Sequence, residues 1–138
     1  MRLRTHCRII LGLERGPVLY MTRNELIRLL VLNEIADDYE EPEYIHGRLA
    51  GLGPHCGLPI ELPDVRQALL DLVGLGCAKA YNLWRNPAEG LRGVPPLERV
   101  DEYYYWITDQ GRVVHSSFNS WPFDEEGKIR PGWCAPTE

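Results

Sequence analysis

The chain has 138 residues, 44% of them hydrophobic and 25% charged. That is ordinary composition for one globular domain, long enough to bury a core without staples. No apolar run approaches a membrane span, and Cys7, Cys56, Cys77 and Cys134 form no close pair, so a cytoplasmic protein with reduced thiols is expected.

The net charge of −5 is uneven. Residues 1–20 set Arg2, Arg4, Arg8 and Arg15 against Glu14 alone, a net +3, which leaves −8 on the rest. An acidic body repels nucleic acid at long range. The segment "CRIILGL" is short for a secretory signal, and no small-residue cleavage site follows it. Residues 1–21 read as an N-terminal extension. Two readings stand side by side: a mis-assigned start with Met21 as the true first residue, or a flexible or strand-forming arm.

A first helix begins at Thr22, where Thr22 and Glu25 have capping-box spacing. Leu26, Leu29, Leu30, Asn33 and Ile35 roughly keep helical spacing, and Ile27, Val31 and Leu32 widen the apolar face. Such width predicts burial on more than one side. The helix should end between Ala36 and Tyr39. Pro42 suits the first turn of a second helix, with Glu41 and Glu43 at its positive end and Tyr44, Ile45, Leu49 and Leu52 facing inward. Gly51 and Gly53 close it, and "PHCGLPIELP" reads as a loop.

A third helix starts near Pro63 or Asp64, with Val65, Ala68, Leu69 and Leu72 as its inner stripe and Gly74 and Gly76 at its end. Residues 77–84 alternate like a strand. Cys77, Lys79, Tyr81 and Leu83 share one face; Ala78, Ala80, Asn82 and Trp84 share the other. Residues 85–102 are too rich in proline and glycine for a core element. They link the first strand to "YYYWIT", and the two strands should pair as an antiparallel hairpin with a long tip. Thr108 can cap a short last helix, with Asp109 in its first turn.

Three helices, a strand, a long loop and a strand follow the order of a winged helix-turn-helix domain, an α+β fold with a three-helix core and a two-stranded wing. "ALLDLVGLGCAKAY" (68–81) and "YYWITDQGR" (104–112) resemble the PadR-like and MarR-like bacterial repressors over about residues 22–117. The resemblance implies a transcriptional regulator whose third helix enters the major groove of double-stranded DNA and whose wing touches the backbone or minor groove. Residue types that read bases and neutralise phosphate then single out Arg66, Gln67, Lys79, Arg85, Arg92 and Arg99.

Other residues oppose that use. Asp64, Asp71, Glu89, Glu98, Asp101 and Glu102 lie near those cations, which leaves no positive surplus. Leu70, Val73 and Leu75 fall off the inner stripe and, if exposed, form an apolar patch of the kind that marks protein contact. The alternative is therefore a winged helix used for protein assembly. A homodimer is expected, because the first helix and the Leu70, Val73, Leu75 group need covering. In the tail, residues 118–138, Trp121 and Phe123 either pack on their own domain or join a dimer contact.

Catalytic and metal chemistry have little support. The acidic run from Asp37 to Glu43 lacks calcium-loop spacing. His46, His55 and Cys56, with Cys7 or Cys134, lack zinc-ligand spacing. His55 and Cys56 could also form a reactive-thiol loop, whereas Cys77 reads as a small buried hydrophobe. His115 beside Ser116 and Ser117 is adjacency in sequence only, and no phosphate loop or nucleophile elbow is present, so no enzyme, cofactor or metal is expected. Tyr103, Tyr104, Tyr105 and Trp106 could line an effector pocket. The plainer reading packs one face on the helices and the other on a partner or the tail.

Overall fold

The computed structural model describes residues 21–84, 89–133 and 135. The N-terminal extension before Met21, Arg85, Cys7 and Cys134 lie outside them. The fold is α+β. Among the described residues there are five α-helices: α1 (Arg23–Glu34), α2 (Pro42–Leu49), α3 (Leu52–Cys56), α4 (Leu62–Gly74) and α5 (Asp109–Ser117). Strands β1 (Ala78–Asn82), β2 (Glu89–Gly90) and β3 (Tyr104–Ile107) form an antiparallel sheet in the order β2-β1-β3. A 3₁₀ helix, Leu97–Glu102, precedes β3.

Helix α1 begins at the expected capping box. Thr22 Oγ1 accepts from the Glu25 amide at 3.1 Å, and Glu25 Oε1 accepts from the Thr22 amide at 2.8 Å. Leu26, Ile27, Leu30, Val31, Leu32, Ile35 and Ala36 are buried almost completely around the helix. The chain covers this wide face itself, with α4, α2 and α5. The broad face of α1 therefore leaves little for a partner to cover.

The loop expected after α2 contains α3. Gly51 and Gly53 do not stop the chain; the left-handed residue is Gly57 (φ 68°). Leu52, Leu58 and Ile60 pull this segment into the core, and that burial outweighs the local glycine and proline signals. Helix α4 starts slightly earlier than expected, at Leu62, because Asp64 Oδ2 accepts from the Glu61 amide at 2.9 Å.

The sheet has three strands rather than two. Ala78 to Tyr81 pair with Ile107 to Tyr104, and Tyr81 and Asn82 pair with Gly90 and Glu89 on the other edge. Gly90 permits this pairing, since a Cβ there would run into Lys79 and Tyr81. After β2 the chain does not form a wing tip. It folds back along α4, burying Pro95 and Val100, so the proline-rich linker does contribute to the core. Inward, Ala78, Ala80, Tyr105 and Ile107 meet the helices. On the outer face Tyr39 stacks on Trp106 at 5.1 Å and meets Tyr81 edge-on at 5.2 Å, and Arg112 lies 5.4 Å over the Trp106 ring. The outer face is thus packed on by the α1–α2 connection and α5 rather than by the tail.

Helix α5 is capped by Thr108, whose Oγ1 accepts from the Gly111 amide at 3.0 Å. Gly111 is buried against the start of β1; a Cβ there would fall on the Cys77 carbonyl oxygen and press on Ile107. This is what the glycine of "TDQG" is for. The tail then doubles back over the domain. Trp121 stacks on His115 at 4.7 Å and meets Phe118 edge-on at 4.6 Å, Phe123 bridges to Ile129, and the Trp133 indole donates to the Ser120 carbonyl at 2.8 Å. His115 Nε2 donates to Asn33 Oδ1 at 2.8 Å, tying α5 to α1.

Two outcomes follow from these contacts. Gly111→Ala meets backbone rather than a yielding side chain, so chemical denaturation should show a loss of about 1–3 kcal/mol. Burial holds the His115 imidazole below its ordinary value, with Arg112 acting in the same direction and Asp37 opposing them. The unfolded chain therefore binds the proton more readily. The neutral ring's contribution to stability is complete above the unfolded value, about 6.5, and is lost as pH falls through the folded one. Melting curves followed by circular dichroism should drop on acidification across that window, and His115→Gln should flatten the drop.

Candidate functional site

Helix α4 is the element from which the sequence expects base contacts. Its outward residues are already engaged. Arg66 makes a two-pronged contact with Asp101, Nε to Oδ1 at 3.0 Å and Nη2 to Oδ2 at 2.8 Å, and this pairing raises the guanidinium pKa. Gln67 donates to Asp71 Oδ1 at 2.9 Å, and Arg28 of α1 reaches Asp71 Oδ2 at 3.2 Å. Asp64 receives Arg23 at 3.0 Å, a hydrogen bond that holds its carboxyl below the usual range. Arg99 is folded onto Glu102 at 2.9 Å.

A covering segment explains much of this. Val94 reaches Gly74 at the end of α4, and Asp101 holds Arg66 near its start. Residues 94–101 therefore run beside the helix. Arg66, Leu70, Val73 and Gly74 share one stripe at i, i+4, i+7 and i+8, the stripe this segment faces. Leu70 and Val73 are half-buried and pack against the core, which accounts for their apolar character without a partner. Of the three apolar residues expected as an interface, Leu75 alone is strongly exposed, at 56%. Trp121 and Phe123, expected either on the domain or in a dimer contact, pack against the chain's own core.

Two of the expected DNA contacts keep an exposed charge. Lys79 projects from the outer face of β1, its ammonium 5.8 Å over the Tyr81 ring. Arg92 is exposed just beyond β2 and makes no salt bridge among the described residues. They belong to the sheet and its following loop, whereas Arg66 and Gln67 belong to α4 and Arg99 to the 3₁₀ segment. Arg85 lies outside the described residues.

An open surface lies at the other end of α4. A groove of about 450 Å³ runs between α1 and α5, with Met21, Leu29, Leu75, Val114 and Phe118 around it and Leu32, Leu72 and Cys77 lining it deeper. Its polar members are largely committed. Glu25 is in the α1 capping box, Arg28 is on Asp71, and Gln110 Nε2 donates to the Leu75 carbonyl at 2.9 Å. Sequence reasoning treated α5 only as a short final helix and missed this surface. The signal was Gln110, Val113, Val114 and Ser117 at i, i+3, i+4 and i+7.

Among the described residues no three His, Cys, Asp or Glu side chains gather to hold a metal ion. His46 Nε2 donates to the Ile60 carbonyl at 3.1 Å, a structural bond. Cys56 and Cys77 are free thiols, and burial pushes both up, away from the thiolate form. His115, beside Ser116 and Ser117 in sequence, is engaged with Asn33 and Trp121, while Ser116 Oγ donates to Arg112 O and Ser117 Oγ to Val114 O. No described helix is long and apolar enough to cross a membrane. No protein-family model, curated protein or solved structure matches the chain.

Proposed function

We propose that the chain is a winged-helix-like domain that serves protein assembly rather than reading DNA. The winged-helix reading is supported by the order of α1, α2, α4, β1 and β3 and by the antiparallel pairing of the two long strands. A further bridge, Glu40 to Tyr105, draws the α1–α2 connection onto the edge of β3. In that arrangement α4 is the helix that would enter a major groove.

One observation carries the choice of function. Residues 94–101 lie along α4, with Asp101 clamped on Arg66. A base-reading helix needs free donors on its outward face and cations beside them. Here that face offers Gln67 turned onto Asp71, and carboxylates that already hold Arg23, Arg28 and Arg66. An apolar groove between α1 and α5 is open for contact. A cytoplasmic setting suits the free thiols. The regulator reading retains the exposed Lys79 and Arg92.

Fluorescence anisotropy with labelled duplex DNA tests the choice. At about 50 mM salt the chain should leave the signal unchanged, and Arg66→Ala should make no difference. Binding at low salt that weakens steeply by about 200 mM, and is lost in Arg66→Ala, would restore the transcriptional regulator.

A further inference from the structure

The groove between α1, the end of α4 and α5 has a feature that bears on its occupant: its rim carries its own knobs. Gln110, Val114 and Ser117 line the groove from one stripe of α5, and Val113, on the same stripe, stands beside it with 71% of its surface exposed. Leu75 rises from the end of α4, also largely exposed. A concave apolar site and convex apolar side chains therefore sit side by side on one surface. A twofold contact requires this, because the same patch must supply both halves of the fit.

Charge supports the same occupant. Two copies of a chain with net charge −5 repel unless they meet where charge is low. The residues of α5 that line the groove, Gln110, Val114 and Ser117, are uncharged; Asp109, one turn before Val113, is the acidic residue of the helix. The two charged residues at the groove, Glu25 and Arg28, are already held by Thr22 and Asp71. Arg112, the cation of α5, is turned away onto Trp106.

We propose that a second copy of this chain docks at this groove, with Val113 of each copy beside the groove of the other and the α5 helices crossing near the twofold axis. This deepens the assembly reading and rests on it. It moves the self-association surface away from Leu70, Val73, Trp121 and Phe123, which the chain covers itself, and onto α5.

Sedimentation velocity of the full chain across the micromolar range tests it, with circular dichroism confirming that each variant is folded. The wild-type chain should dimerise. Val113→Glu, at a position exposed enough to leave the fold intact, should weaken dimerisation at least about tenfold by bringing like charges together at the axis. Tyr44→Glu, at an exposed position on α2, which does not line the groove, should leave it unchanged. A wild-type chain that stays monomeric overturns the proposal, as does a dimer indifferent to Val113→Glu. A monomer that also ignores DNA at low salt leaves the assembly reading standing with a different occupant in the groove. Salt-sensitive DNA binding removes the assembly reading whatever the sedimentation result.

Discussion

Tyr105 is the residue through which the separate parts of this domain are joined. It is fully buried, and its hydroxyl donates to the Val100 carbonyl at 2.7 Å. Its backbone pairs both ways with Glu40, at 2.8 and 3.1 Å, while Ala80 of β1 stands opposite it. One side chain and one peptide thus fasten the 3₁₀ segment, the α1–α2 connection and the central strand to one another. A phenol without a partner in that position would be costly to bury. Burial also keeps it protonated, its pKa pushed well above that of free tyrosine. The conformation of residues 94–101, and so the covering of α4, depends on this anchor.

On the proposed winged-helix reading, covering α4 changes what the fold can do. In such a layout, specificity comes from one helix face and affinity from cations around it. Here the chain uses its own backbone and carboxylates to occupy the flank where Arg66 lies. Under the assembly reading proposed above, the acidic balance of the body is not a handicap. What stays open is apolar and lies at the opposite end of the helix, beside α5.

Much of the scaffold was legible in the sequence because it is written in short-range signals. The Thr22–Glu25 box, Pro42 at a helix start, the Val65, Ala68, Leu69, Leu72 stripe and the Thr108 cap each act within a few residues, and each appears where expected. The departures are long-range. Helix α3 forms because Leu52, Leu58 and Ile60 find a core supplied by other helices. β2 pairs with β1 where Gly90 leaves room for the Lys79 and Tyr81 side chains. Arg66 and Asp101 are 35 residues apart, so no local pattern marks them as a pair. Leu70 and Val73 were correctly read as apolar positions off the inner stripe, but a single sequence does not say which later segment lies over them. The groove was missed for the same reason, being shared by α1, α4 and α5.

The tie between His115 and Asn33 spans 82 residues and has a consequence during synthesis. Helix α1 leaves the ribosome early, with an apolar surface almost all the way round. Apart from α2, the elements that cover it, α4 and α5, are made tens of residues later. Through that interval a nascent chain carries the apolar residues of α1 uncovered. Closure of the domain waits for β3 and α5, whose contacts with β1 and α1 are long-range.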